Sequence, residues 1–251
     1  MESSIRYEHT PPERANPVPI LDSARSRDWE IFDTDSMVLF VLMWLGFCSH
    51  FVAAAGAAEA VLWIVAFAVP GFLAAELGAG LLHWFADTFF APSTPLIGSS
   101  LVQAFREHHR DPRGIARRGI IEASGLNCFV CILILLLALL LDAATVAGRA
   151  AGIALLWFTL ATALTNLFHR WAHAERVGPA VAWLQRNGWI LSPERHALHH
   201  SGAHDRSFCV TTGWLNPLFD RIQFFHRLEI AARWLARSRT GSKLAKGTRA
   251  D

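Results

Sequence analysis

The sequence predicts an all-α, polytopic membrane protein in which four transmembrane helices form two hairpins and further helical segments cap one face. Three observations predict it. First, 53% of the 251 residues are hydrophobic and 18% are charged, whereas a soluble domain carries about a quarter charged residues. Second, the apolar residues gather into four long blocks, and the mean hydropathy is +0.29. Third, almost all basic residues fall at one end of those blocks. This pattern excludes a disordered chain, a collagenous chain and a small disulfide scaffold. The net charge of +2 is too small to argue for a nucleic-acid partner.

The elements follow in chain order. Residues 1–35 read as a flexible polar arm containing Pro11, Pro12, Pro17 and Pro19 and no apolar core. No cleavable signal peptide is therefore expected, and the first hydrophobic helix must direct insertion. A helix needs roughly 20 apolar residues to cross a hydrocarbon core of about 30 Å. Residues 36–230 form the membrane domain, with helices expected at about 36–58, 60–86, 126–147 and 150–173. The first is free of formal charge over Ser36 to Ala58, and the second carries Glu76 and Pro70 within its apolar part. The third is built around Ile132–Leu141. Gly56 with Glu59 and Gly148 with Arg149 mark the two short hairpin turns. Residues 231–251 read as a basic tail.

Orientation follows from the placement of arginine. The arm carries Arg6, Arg14, Arg25 and Arg27, and the segment between the second and third helices carries Arg106, Arg110, Arg113, Arg117 and Arg118. Apart from Arg149, the remaining basic residues follow Phe168. Both termini and the central segment are expected on the cytoplasmic side. Heavy use of Arg and Ala with two Lys suggests a GC-rich bacterial genome, hence a bacterial inner membrane.

Twelve histidines stand out beside a single Tyr. His83 lies 23 positions after Ala60, about 35 Å along a helix and just past the core. His169 and His173 end the fourth helix on the same face. His108 and His109 lie in the central segment, and His196, His199, His200 and His204 lie near the C-terminus. Nine histidines thus collect on one face. His9, His50 and His226 fall outside this pattern and read as ordinary surface or interface residues.

Spacing gives the collection a chemistry. Residues four apart share a helix face, as do His83 and Asp87, His169 and His173, and the i, i+3, i+4 set His196, His199 and His200. Imidazole suits Fe, Zn, Cu and Ni, and a carboxylate adds a hard oxygen donor that favours iron over copper. Eight or nine donors exceed what one ion can use, so two ions are expected. A zinc protease of the H-E-x-x-H type is excluded because no such string occurs. A bis-histidine haem protein would place its pairs inside the bilayer, where only His50 lies. A two-iron, oxygen-activating centre that removes hydrogen from an unactivated C–H bond fits best. A haem or metal electron-transfer protein without a substrate is the alternative from another class, and a non-catalytic scaffold is a third.

The strings "HWFADTFF" (His83–Phe90), "FREHHRDP" (Phe105–Pro112), "TNLFHRWAH" (Thr165–His173), "ERHALHH" (Glu194–His200) and "FCVTTGWLN" (Phe208–Asn216) resemble the Kua/CarF-type plasmanylethanolamine desaturases, the lipid desaturase domain family. The resemblance runs from about Glu76 to Glu229, about 60% of the chain. It implies a membrane di-iron enzyme that uses O2 and two electrons to place a 1'-2' vinyl-ether double bond in the O-alkyl chain of an ether phospholipid. The product is a plasmalogen. His83, His108, His109, His169, His173, His196, His199 and His200 match the family's essential histidines, and Asp87 matches the acid of its first motif. Whether Asp87 binds iron or orients a ligand stays open. His204 also has a counterpart, as an additional ligand or a neighbour of one. A related branch desaturates the acyl chain of plastid phosphatidylglycerol; "TTGWLN" and "TNLFHRWAH" are closer to the ether-lipid branch. Desaturation or hydroxylation of another lipid chain is the nearest alternative.

Glu76 lies two turns before His83 on the same face, about 10 Å deeper. It either holds a ligating imidazole through its outer N–H or pairs with a polar neighbour. Asn166, three before His169, either serves similarly or caps backbone. Trp183 to Leu191 and Trp214 to Leu235 read as interfacial helices. Arg106, Arg110 and Arg195 flank the histidines, where they either hold a lipid phosphate or serve the topology. Cys128-x-x-Cys131 reads as small apolar packing at a helix start. The electrons require a separate donor, cytochrome b5-like or ferredoxin-like with its reductase, because no such motif lies in the chain.

Overall fold

The computed structural model describes residues 26–95, 97–98 and 102–247. Ten α-helices and no strands occur among the described residues. The expectation for residues 1–25, including His9, lies outside them.

Helix α1 (Arg27–Ala55) starts nine residues earlier than hydropathy predicts, so residues 27–35 are helix rather than arm. Asp28 and Glu30 in its first turn complement the helix dipole. Trp29 meets Phe32 edge-on at 5.4 Å, and Phe32 packs on Phe129 at 5.3 Å. These contacts give the polar turn an apolar anchor. Gly56 alone, at φ +73°, reverses the chain into α2 (Ala57–Phe89). Only glycine adopts that φ without strain, and Ala57 to Glu59 belong to the second helix. Pro70 lies inside α2 without ending it. At the next residue, Gly71, a Cβ would lie 2.5 Å from the Trp157 Cβ.

After α3 (Gln103–Arg110) and α4 (Gly114–Arg117) comes α5 (Ile120–Leu135), extended by a 3-10 segment at Leu136–Leu140. The third span therefore begins six residues before its predicted start and ends seven before its predicted end. The second hairpin turn lies at 141–145. There Asp142 Oδ1 accepts from the Ala144 N–H and Thr145 Oγ1 accepts from the Gly148 N–H, capping α6 (Val146–His173). Arg149 is in the first turns of α6 and makes two hydrogen bonds to Glu59 of α2, at 2.8 and 3.0 Å. This pair joins both hairpin turns on one face.

α1 packs along α5, α5 against α6, and α6 along α2. Phe40, Phe51, Cys131, Leu135, Ile153 and Leu156 form the core between them. Cys128 and Cys131 are buried free thiols within it, and Cys131 donates to the Thr159 carbonyl. The outer surface is inverted relative to a soluble protein. Leu42, Leu45, Val61, Val65, Val69, Leu133 and Leu140 expose more than half of their surface. Four helices long and apolar enough to cross a membrane, with such an outer face, make this an integral membrane protein.

The remaining helices form the cap at the histidine-bearing ends of α2 and α6: α7 (Pro179–Arg186), α8 (Pro193–Ala197), α9 (Asn216–Arg221) and α10 (Phe224–Gly247). Helix α10 runs through residue 231, where the basic tail is expected to begin. The predicted interfacial stretches are broken by turns at Gly188 and Gln223, both at positive φ.

Candidate metal centre

Four elements deliver the donors. α2 presents His83 and Asp87, α3 presents His108 and His109, α6 ends on His169 and His173, and α8 with the turn after it supplies His196, His199 and His200. They sort into two groups. His108, His169, His173, His196 and His200 form one, and His83, Asp87, His109 and His199 form the other; in each, the donor atoms lie within 4.8 Å of one another. Every i, i+4 pair stays within one group. Adjacent residues, which point about 100° apart on a helix, are divided: His108 from His109, and His199 from His200.

The first group has a regular geometry. The Nε2 atoms of His108, His169, His196 and His200 form a closed ring with sides of 3.0, 2.8, 3.0 and 3.1 Å. A square of that side has its centre about 2.1 Å from each corner, the length of a first-row metal–imidazole bond. A tetrahedral ion would hold its donors further apart, at about 3.4 Å. The His173 ring lies 4.5–5.1 Å from each of the other four ring centroids. Five imidazoles exceed the four donors of a tetrahedral ion and suit one of higher coordination number. In the second group the His109 and His199 Nε2 atoms are 3.0 Å apart. Asp87 Oδ2 lies 3.3, 3.5 and 3.9 Å from the Nε2 atoms of His83, His109 and His199.

The protonation pattern suits metal binding. His83 Nδ1 donates to the Phe208 carbonyl at 3.2 Å and His199 Nδ1 to the Arg206 carbonyl at 2.9 Å. A carbonyl only accepts, so each ring carries its proton on Nδ1 and aims the Nε2 lone pair at the centre. Burial, followed by the neighbouring imidazoles, holds His108 down to about 2 and His109 to about 3, and holds His199 and His200 to about 4. His196 is lowered well below the usual histidine range for the same reasons. All five are neutral imidazoles at neutral pH. His83 Nε2, His173 Nε2 and both Asp87 oxygens are buried without a hydrogen-bond partner. Each such atom costs about 1–3 kcal/mol if left unpaired, and a cation at each centre would satisfy them together.

The loop from Ser207 to Asn216 supports the second group and accounts for "FCVTTGWLN". Asn216 closes it by accepting from the Cys209 N–H and donating to the Cys209 carbonyl. Thr211 bonds Thr165 of α6 at 2.8 Å, and Thr212 donates through N–H and Oγ1 to Glu76 Oε2 of α2. Asp220 accepts from the Ser207 N–H and Oγ at 2.9 and 2.6 Å, holding Ser207 at φ +55°. Ser207 follows the residue whose carbonyl orients His199. Sequence reasoning missed Asp220 and the two carbonyl acceptors, because nothing in the local string marks a backbone oxygen as an imidazole partner.

For the residues whose roles the sequence leaves open, the structure shows the partner each one takes. Glu76 is fully buried but bonds Thr212 rather than an imidazole. Asn166 Nδ2 donates to the Ala123 carbonyl and Asn127 Oδ1, tying α6 to α5. His204 does not continue a helix: α8 stops at Ala197, and His204 takes φ +55° after Gly202 at +73°. Its ring stacks on His109 at 4.4 Å and belongs to neither donor group. Arg106 caps the end of α2 by donating to the Asp87 and Phe90 carbonyls. Arg195 likewise donates to Thr212 and Gly188 carbonyls, and Arg110 is exposed. His50 is exposed on α1. His226 borders a recess of about 630 Å³ that also meets Asp87 and His109, with Trp84, Phe208, Phe219 and Phe225 among its walls.

The lipid desaturase domain matches residues 72–243. The chain is 32% identical over 177 residues to a plasmanylethanolamine desaturase of Myxococcus xanthus, covering 68% of this chain and 62% of that one. It is 37% identical over 168 residues to plasmanylethanolamine desaturase 1 of Mus musculus, covering 64% and 62%. It is also 32% identical over 162 residues to the chloroplastic fatty acid desaturase 4 of Arabidopsis thaliana, covering 64% and 49%. The matched region thus spans under two thirds of the length of these relatives. No solved structure matches.

Proposed function

The chain belongs to the lipid desaturase domain family, and from that premise we propose that it is a membrane di-iron desaturase acting on a phospholipid. Its reaction introduces a 1'-2' vinyl-ether double bond into the O-alkyl chain of plasmanylethanolamine. The observation that carries this reading is the pair of donor groups, one of five imidazoles and one of three imidazoles with a carboxylate. His108, His169, His173, His196 and His200 hold one iron, and His83, Asp87, His109 and His199 hold the other. Iron supplies oxygen activation strong enough to take hydrogen from an unactivated C–H bond. The balance is closed: one O2 takes two hydrogens from the alkyl chain and two electrons with two protons from a donor, giving two waters.

The protein's own part is positioning. The Phe208 and Arg206 carbonyls fix the tautomers of His83 and His199. Mixed nitrogen and oxygen donors, with positions left over, support iron above zinc or copper. The recess at Asp87 and His109, lined by Trp84, Phe208, Phe219 and Phe225 together with charged side chains such as Arg106 and Glu229, gives access to the second group. The helix termini bearing the donors face the cytoplasm of a bacterial inner membrane, in keeping with the arginine placement. A separate redox protein, cytochrome b5-like or ferredoxin-like, supplies the electrons.

Similarity to fatty acid desaturase 4 favours one second reading, desaturation of an acyl chain by the same centre. Lipid analysis separates the two. Cells with and without the gene are fed alkylglycerol, and acid-labile vinyl-ether lipids are measured. The proposal expects them only with the intact gene and expects their loss in a His173→Ala variant. A folded, iron-loaded protein that yields an unsaturated acyl lipid and no vinyl ether would reject the ether-lipid assignment.

A further inference from the structure

The first donor group has a recess of its own. An open cavity of about 580 Å³ reaches His173 and Trp171 and is lined by Arg113, Arg117, Arg170 and Arg176. The arginines come from three places: α4 and the turn before it, the end of α6, and the segment after it. Their existing partners are few. Arg113 pairs with Glu175 at 2.7 Å, and Arg117 pairs with Asp111. Arg170 donates to the Arg118 carbonyl, and Arg176 makes no side-chain hydrogen bond or ion pair among the described residues. Among the described residues, Arg170 and Arg176 make no ion pair with a carboxylate, so the recess carries an excess of positive charge.

We propose that this recess binds the phosphate of the substrate lipid's headgroup. Guanidinium is the side chain best matched to phosphate oxygens, because its planar fork donates two parallel hydrogen bonds. The depth is right as well. α6 has 28 residues and is about 42 Å long, so its last turn passes beyond a hydrocarbon core of about 30 Å into the headgroup layer. Arg170 and His173 lie in that turn. The recess also shares His173 with the five-imidazole group, so an anion there sits one imidazole away from that centre. In a 1-O-alkyl phospholipid about seven bonds separate phosphorus from the 2' carbon, on the order of 9 Å when extended. A phosphate held here therefore brings the first two chain carbons to the centre. Of the three arginines marked in the sequence for this role, Arg106 and Arg195 are occupied with backbone carbonyls, and Arg110 does not line the recess.

The choice of lipid rests on the desaturase reading above; the phosphate site does not. The test is therefore a binding measurement without reductant. Metal-loaded full-length protein in a maltoside detergent is titrated with 1-O-alkyl-2-acyl-glycerophosphoethanolamine, with the matching alkyl-acyl-glycerol that lacks phosphate, and with inorganic phosphate. Arg113→Gln with Arg176→Gln removes two exposed guanidiniums without opening the core. Phospholipid affinity is expected to fall roughly ten- to a hundredfold in the double variant, while affinity for the phosphate-free lipid stays the same. Unchanged phospholipid affinity would overturn the proposal. So would loss of inorganic phosphate binding alone, which would make the recess a site for free phosphate. If vinyl-ether product forms but the double variant binds normally, the recess assignment fails and the function stands. If no vinyl ether forms with any lipid but the arginine effect holds, the reverse is true.

Discussion

Replacing Asp220 by Ala tests how the second donor group is built. The carboxylate accepts two hydrogen bonds from Ser207, at 2.9 and 2.6 Å, and holds a non-glycine residue at φ +55°. Hydrogen bonds to a charged acceptor contribute about 1.5–3 kcal/mol each, and the left-handed conformation costs about 1–2 kcal/mol. Without Asp220 the local conformation of Ser207 is no longer held, and it relaxes. The Arg206 carbonyl immediately before it then leaves His199 Nδ1. Loss of such an outer partner weakens metal binding roughly ten- to a hundredfold. The expected result is selective: chelator competition on the purified protein finds one of two metals weakened by that factor while the five-imidazole site keeps its affinity. Asp220→Asn retains one acceptor oxygen and is expected to restore most of the loss. Equal weakening of both metals, or none in a variant with normal thermal unfolding, would refute the reasoning.

Further outcomes follow from the same geometry. Gly71→Ala places a Cβ 2.5 Å from Trp157 Cβ and is expected to cost about 1–3 kcal/mol through overpacking of α2 on α6, read as a lower midpoint of thermal unfolding. The metal-free protein should lose stability as pH falls. His109, His199 and His200 titrate at about 3 to 4 when folded and near 6.5 when unfolded, so the unfolded chain binds more protons between those limits. Stability is full above about pH 6.5 and declines toward pH 4; a flat or rising profile of unfolding midpoint over that window would contradict the neutral-imidazole assignment. His204→Ala removes a ring that stacks on His109 without joining either group, so elemental analysis should find metal content unchanged.

The sequence made the membrane helices legible because length and apolarity are local properties. It missed their ends where polar residues carry the helix on. Residues 27–35 contain Asp28, Glu30, Asp33 and Asp35, yet Trp29 and Phe32 anchor them against α5 through Phe129, a contact between distant segments. The apolar stretch Leu136–Leu140 has no punctuation that would announce a 3-10 segment before the turn at 141–145. The candidate site was legible as far as helical spacing reaches: His83 with Asp87, His169 with His173, and His196 with His200 each share a group. Assigning His108 and His109 to different groups required the tertiary arrangement. Glu76, Asn166, Arg106 and Arg195 show the limit from the other side. A polar group near a site in sequence has many acceptors to choose from, and here each found a backbone or inter-helix partner instead of an imidazole or a lipid.

Metal content of the purified chain tests the central claim most directly. Elemental analysis of the folded protein, together with its absorption spectrum, should give two irons per chain and no Soret band. His196→Ala and Asp87→Ala, which alter different donor groups, should each lower the count to one, and the double variant should lower it toward zero. One iron or none in a folded, active protein, or a count unmoved by both substitutions, would contradict the two-centre account.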